Sequence, residues 1–350
     1  MNALPSADLQ KIVAPIEDWS QFKNARIFIT GGTGLFGIWM VSALLKANLD
    51  FNLGLEITIL TRNQDVFTSQ HPTLALAQNV QILIGDVANF KFPQERYDYL
   101  FHFATTTASA TFNGEDQLKK MEMLYFGTKH VLDFAVTAGV KKVLFTSSGV
   151  VYGAIGAERD GVAENYHGAP DVSRPDAALG EGKRIAEYLC AYYQEKYGLR
   201  YAIARCFSFV GPLLPLNLHY AIGNFIKNCI HNEDIVINGD GSPVRSYLYM
   251  GDATNWLLHL MLSNKNKSIH NVGSSRSISI ENLARLTKDV LASNSKVTIK
   301  GIQNSMDGNF ARNHYIPDIS LIKREFGVAE STSLEESIIK TAQFYTSVKN

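Results

Sequence analysis

The chain has 350 residues, enough to bury a large core as one elaborated domain or two tightly joined ones. Apolar residues make up 46% and charged residues 19%, an ordinary globular composition that excludes a disordered chain. Lys plus Arg equals Asp plus Glu at 33 each, so no bulk basic field is available for nucleic acid. No apolar run reaches the roughly 18 residues of a membrane span. The N-terminus lacks the basic, apolar and small-residue order of a signal peptide. The expectation is a cytoplasmic protein without nucleic-acid or membrane partners. Cys190, Cys206 and Cys229 are scattered and odd in number, with no CxxC pair, which reads as reduced core thiols and no metal site.

Residues 1–24 read as a lead-in with a short helix and no assigned function. Ala25 to Thr30 is a short apolar run, the signature of a fully buried parallel strand. It breaks into Gly31, Gly34 and Gly37, and an apolar helix pattern follows. A glycine-rich turn between strand and helix lets backbone approach a pyrophosphate, whose charge then sits on the helix N-terminus. The spacing is GxxGxxG, where the commoner dinucleotide fingerprint is GxGxxG. Glu56 to Asn63 is a second strand with Arg62 just past its end. Val80 to Asp86 is a third and Tyr97 to Ala108 a fourth. His102, inside that apolar run, reads as a satisfied core histidine. Gln117 to Ala138 is a long helix ended by Gly139, and Val140 to Gly153 is strand five. This alternation argues for a doubly wound parallel sheet.

The glycine turn TGGTGLFG resembles the TGGTGFIG opening of extended short-chain dehydrogenase/reductases. By that resemblance Gly31, Thr33, Gly34, Leu35, Phe36 and Gly37 form the dinucleotide turn. Asp86 and Val87 meet the adenine edge, and Phe103, Ala104 and Thr105 lie beside the cofactor. Thr61 takes the place of the acid that holds the ribose hydroxyls of NAD. Arg62 follows it, and a guanidinium there suits a 2′-phosphate. The cofactor is therefore NADP or NAD, with NADP favoured.

TSSGVVYG resembles the family's SSxxVYG signature, which makes Ser148 the hydroxyl that bonds the substrate oxygen undergoing oxidation or reduction. A bland alternative is a strand-end serine capping its own turn. The family follows with a YxxxK helix, whose tyrosine carries a proton and whose lysine lowers the tyrosine pKa and holds the nicotinamide ribose. Here LGEGKRIAEYLCAYY supplies Lys183, but Leu179 stands at the tyrosine position. Three explanations remain open. Glu181, Tyr152, Tyr166 or His167 replaces the phenol; the proton moves through substrate or water; or the protein binds its ligands without turnover.

Tyr201 to Pro212 resembles strand six and the following family turn, with Ser208 in an asparagine position. A loop and an amphipathic helix then carry Asn224 and Lys227. IVINGDGSPVRSYLYMGD resembles a segment of nucleotide-sugar enzymes in which Arg245 pairs with the substrate pyrophosphate and Asp252 caps the next helix. HNVG (270–273) and YIPDISLIKREFG (315–327) match further landmarks. The resemblance spans about 25–345 and fits the NAD-dependent epimerase/dehydratase branch acting on nucleotide-diphosphate sugars by hydride transfer at sugar C4. In that branch 4,6-dehydratases carry Asp-Glu, and UDP-glucuronate decarboxylases a Glu, after the catalytic Ser/Thr; here Gly149 and Val150 follow Ser148. That favours an epimerase or a 4-keto-sugar reductase in surface-polysaccharide synthesis. Substrate contacts fall to Ser148, Gly149, Ser208, Asn224 and Arg245, and catalysis to Ser148, Lys183, Glu181 and Tyr152. The expected architecture is a lead-in (1–24), a Rossmann-like doubly wound domain (25–180, with later segments returning to it) and a smaller C-terminal α/β substrate-binding portion (181–350). The resemblance also implies a homodimer through helices near 117–138 and 179–197.

Overall fold

The structure, a computed structural model, describes residues 3–106, 114–156, 160–218, 220–301 and 314–347. Its centre is a seven-stranded sheet. β1 (Arg26–Thr30), β2 (Glu56–Thr61), β3 (Val80–Ile84), β4 (Tyr99–His102), β5 (Lys142–Ser148) and β6 (Arg200–Cys206) belong to it. β7 (Val244–Ser246) lies in a smaller sheet, and β8 (Lys267–Val272) completes the large one. The order is β8-β6-β5-β4-β1-β2-β3, and every pairing is parallel. Strand order reverses between β1 and β4, which opens a crevice at their carboxyl ends where ligands of such sheets bind.

The central strands are apolar throughout because helices cover both faces; the four residues of β4 are all buried. One face carries α1 (Ser6–Val13), α2 (Leu35–Phe51) and α6, the helix Met250–Leu262, in a cluster around Trp39 and Trp256. The other carries α3 (Gln117–Thr137) and α4 (Ala178–Tyr197), packed over Phe28, Phe134 and Phe145. Among these numbered helices, α5 is Ala221–His231, α7 Ile280–Val290, α8 Ser320–Phe326 and α9 Leu334–Thr346. Helices α5, α7 and α9 enclose a third apolar cluster away from the sheet, with Ile235 and Ile237. Next to it, β7 pairs with β9 (Ser277–Ser279) and β10 (His314–Tyr315) in a three-stranded sheet.

The lead-in is a fastening. Asp8 is buried, and its carboxylate accepts hydrogen bonds from the Tyr249 hydroxyl at 2.7 Å and from the Lys340 ammonium. An ion buried this way holds because both partners remain in place, and so α1 is tied to α9.

Several boundaries differ from those the sequence suggests. Strand four ends at His102, and residues 103–106 leave the sheet as a loop; its expected end at 107–108 lies outside the described residues. Strand five stops at Ser148, and Gly149–Tyr152 turn into a single 3-10 turn. Asp252 does not cap α6. It lies inside the first turn and accepts from the Ser331 hydroxyl and the Thr332 amide, so it ties α6 to the segment before α9.

Candidate active site

The glycine turn is built for backbone. Gly31 has φ +67°, and a Cβ there would meet the Ala104 nitrogen at 2.5 Å. A Cβ on Gly37 would meet the Gly31 oxygen at 2.3 Å. These two glycines let the turn, β4's exit and α2 lie against one another. Gly34 is different, since its Cβ would meet only the Gly31 oxygen at 3.5 Å, in ordinary contact. It is the N-cap of α2 and supplies no side-chain cap, so the first-turn N–H groups are left for an anion. Thr33 and Gly34 are exposed, Leu35 is half-buried, and the Phe36 ring packs on Phe103 and Phe209. Thr105 is exposed, while the Ala104 amide donates to the Thr30 hydroxyl at 3.3 Å. These residues fit a dinucleotide diphosphate by chemistry and by space.

Along the sheet's carboxyl edge, Arg62 is exposed just beyond β2 and Thr61 is buried beside it. Asp86 and Val87 are half-buried after β3, with the Asp86 carboxylate accepting from the Ala88 amide at 2.9 Å. His102 is a satisfied core residue, bonded to the Thr30 and Thr128 hydroxyls at 2.7 and 3.2 Å. Burial, and secondarily the Lys183 charge, hold its pKa down at about 3.

Lys183 is a buried cation at the end of the sheet. It is 3% exposed, lies 4.7 Å over the Phe145 ring and donates to the Thr146 carbonyl at 2.7 Å. Burial depresses its pKa to about 8. Ser148 ends the same strand two residues on, facing the same way as Thr146. Its hydroxyl accepts weakly from the Val150 amide at 3.4 Å, the turn-capping contact, and also lies 3.5 Å from the Tyr315 hydroxyl.

Two of the residues expected to replace the missing phenol are displaced. Tyr152 is 1% exposed, and its hydroxyl donates to the Asn271 side-chain oxygen at 2.7 Å. Burial lifts its pKa to about 12, the Arg205 guanidinium 4.7 Å from its ring opposing this only in part. It is a core strut. Glu181 is removed by helix geometry: at about 100° per residue, two positions place it on the far side of α4 from Leu179 and Lys183. There it lies 3.8 Å from Arg184, whose guanidinium holds the Val151 and Gly168 carbonyls. Tyr166 packs on Tyr152, and His167 is exposed.

On the substrate side, Ser208 is half-buried and its carbonyl accepts from the Leu248 amide. Asn224 on α5 donates to the Leu218 carbonyl at 2.7 Å and lines a groove of about 440 Å³. Phe225, Asp234 and Asn238 share that groove. Arg245 on β7 donates to the Val244 carbonyl and stands in register with Tyr315 of β10. Residues in register on parallel strands project from one face, about 4.8 Å apart.

The sequence alone does not mark Tyr315 as a site residue. Only strand register brings it there, 167 positions from Ser148 in the chain. Its ring lies 4.7 Å from Phe207, and a Cβ on Gly149 would meet its hydroxyl at 2.8 Å.

The sequence pattern of the NAD dependent epimerase/dehydratase family matches residues 27–273. UDP-glucuronic acid decarboxylase 1 of Xenopus tropicalis is 28% identical over 338 residues, covering 95% of this chain and 74% of that one. UDP-N-acetyl-alpha-D-glucosaminuronate decarboxylase of Bacillus cytotoxicus is 26% identical over 330 residues, covering 93% and 99%. Among solved structures, UDP-glucuronic acid 4-epimerase of Bacillus cereus superposes with a TM-score of 0.78 at 20% identity, covering 92% and 99%. UDP-glucose 4-epimerase of Thermotoga maritima gives 0.76 at 21%, covering 93% and 100%. These structural likenesses speak to the fold. These four proteins are named as UDP-sugar epimerases or decarboxylases.

Proposed function

The chain belongs to the NAD dependent epimerase/dehydratase family, and on that premise we propose that it is a nucleotide-diphosphate-sugar 4-epimerase or 4-keto-sugar reductase. The observation that carries this reading is the buried Lys183 ammonium, bonded to the Thr146 carbonyl two residues before Ser148 at the end of β5. A lysine is rarely buried without a task or a partner. The bound dinucleotide supplies hydride acceptance and return. The α2 N-terminus holds its diphosphate, and Lys183 turns toward its ribose. Ser148 donates to the reacting sugar oxygen. Arg245 pairs with the substrate diphosphate, and the groove between α5 and Asn238 takes the nucleoside. Arg62, exposed beyond β2, favours NADP over NAD. In this assignment the sheet with its helices is the cofactor-binding part. The α5, α7 and α9 cluster is the substrate side, so β6, β8 and α6 count with the cofactor part despite following residue 180.

A second reading, decarboxylation, draws support from the relatives. It lacks an acid after Ser148, because Gly149 stands there and Phe207 and Tyr315 crowd the space a side chain needs.

The test is mass spectrometry of the co-purifying dinucleotide, then a screen of UDP-, dTDP-, CDP- and GDP-sugars with either cofactor. Conversion with no net cofactor turnover identifies an epimerase, and stoichiometric NADPH consumption a reductase. Release of carbon dioxide from a UDP-uronate identifies the second reading. No conversion, with sugar binding intact, leaves a catalytically silent binder.

A second copy of the chain is assigned to the outer face of α3 and α4. Phe126, Tyr188 and Tyr192 are 54%, 64% and 42% exposed there. Light scattering of wild type and Tyr188→Glu decides it: a dimer that the charge splits supports this assignment, and a monomeric wild type sinks it.

A further inference from the structure

We infer that Tyr315 is the proton-carrying phenol of this site, in place of the tyrosine that Leu179 displaces. The inference rests on the reading above that a sugar hydroxyl is oxidised at Ser148.

Three independent features converge on it. The first is position. The Tyr315 hydroxyl lies 3.5 Å from the Ser148 hydroxyl and 3.5 Å from the Cys206 carbonyl, at the carboxyl ends of β5 and β6. Catalytic hydrogen bonds of this length without substrate are common and tighten when it binds. The second is room. Gly149 and the Tyr315 hydroxyl are mutually exclusive with any larger residue at 149, since a Cβ would lie 2.8 Å from that oxygen and 2.7 Å from the Phe207 ring. The chain has an apolar residue at 179, no side chain at 149, and a phenol in the space this frees. The third is charge. Tyr315 pairs in register with Arg245 across β10 and β7. The register brings a cation-bearing residue and a phenol-bearing residue onto one face of neighbouring strands, and a cation that approaches the phenol would favour its ionised form.

At rest the Tyr315 hydroxyl donates to the Cys206 carbonyl, which substrate must displace, while the titratable side chains nearby are engaged elsewhere. Lys183 on α4 is turned to the Thr146 carbonyl. Glu164 accepts from the Asn271 amide, and Asp318 from the Ser320 amide. Tyr152 and Tyr166, in the same apolar cluster, are packed together.

The step balances. The substrate O–H bond breaks and its proton passes to the Tyr315 phenolate, directly or through Ser148. The adjacent C–H bond would break with its electron pair passing as hydride to a bound dinucleotide, leaving a carbonyl. On return the phenol gives its proton to the carbonyl oxygen as hydride is redelivered to that carbon. An epimerase cycle of this kind consumes neither protons nor reducing equivalents.

The test uses the full-length protein and Tyr315→Phe. Expected is a fall in kcat of about 100-fold or more, the ordinary worth of a positioned acid/base, with UDP affinity by calorimetry within about two-fold. Adding Leu179→Tyr to Tyr315→Phe should recover part of the lost kcat, which a merely structural role for Tyr315 would not allow. Ultraviolet titration of tyrosinate without added nucleotide gives a readout free of turnover and of any role of Arg245 in holding the diphosphate. One phenol ionising below the ordinary range, absent from Tyr315→Phe and shifted upward in Arg245→Gln, supports the assignment. A Tyr315→Phe kcat within about three-fold of wild type overturns it. If wild type converts no sugar at all, the proposed reaction has failed, and the titration alone decides: a phenol set unchanged by Tyr315→Phe or Arg245→Gln overturns the inference. If Tyr315→Phe does not fold, the Arg245→Gln titration decides in the same way.

Discussion

Replacing Lys183 with Met separates what the lysine costs from what it does. The side chain is buried, and its folded-state pKa lies at about 8 against an ordinary 10.5. At about 1.36 kcal/mol per pH unit, keeping the ammonium buried below pH ~8 costs roughly 3 kcal/mol of stability. The Lys183–Thr146 hydrogen bond, with a charged donor, returns about 1.5–3 kcal/mol. The two nearly offset, so at pH ~7 Lys183→Met should change unfolding free energy by less than about 2 kcal/mol. The pH dependence then discriminates. A folded pKa below the unfolded one means that the unfolded chain binds more protons between about pH 8 and 10.5, so wild-type stability rises with pH in that window. Relative to the variant, wild type should gain about 2 kcal/mol by pH ~9.5. Urea unfolding followed by fluorescence of the fully buried Trp39 and Trp256 measures this, and groups common to both proteins cancel in the difference. A difference that stays flat from pH ~7 to ~9.5 would refute the burial argument, as would a loss above about 4 kcal/mol at pH ~7.

Gly149→Ala brings a methyl against Phe207 and Tyr315; it should cost about 1–3 kcal/mol by thermal melting and depress turnover, and a neutral variant in both assays would dissociate Gly149 from Tyr315. Tyr152→Phe leaves the buried Asn271 oxygen without its donor and should cost about 1–3 kcal/mol with kcat within about two-fold; a hundred-fold loss of kcat would return Tyr152 to the catalytic set. Arg62→Ala should weaken NADPH binding about ten-fold, roughly 1.4 kcal/mol, and leave NADH unchanged by calorimetry; equal losses for both would remove the 2′-phosphate assignment. Gly37→Ala places a Cβ 2.3 Å from the Gly31 oxygen, backbone that cannot swing aside, so dinucleotide binding should be lost even where the protein remains folded.

The elements that can be read without coordinates are those whose physics is local. Apolar runs such as Arg26–Thr30, the turn at Gly31 to Gly37 and the long Gln117–Thr137 pattern declare themselves within a few residues, because strand burial, left-handed backbone and helix period act at short range. Lys183 and Ser148 stand out in the sequence for the same reason, each inside a contiguous motif. Glu181 misleads although helical arithmetic alone separates it from Lys183. Tyr152 misleads because its partner Asn271 lies on a distant strand. Asp252 reads as a cap, whereas its partners precede the last helix.

The alternating strands and helices of a doubly wound sheet, the glycine turn and the leucine at 179 thus follow from the amino-acid sequence by itself. What replaces the missing phenol does not. Tyr315 reaches Ser148 and Arg245 only through the pairing of β7 with β10 and the packing of Phe207. Pairings between segments so far apart in the chain are chosen by the collective burial of the core, which no short window of residues records.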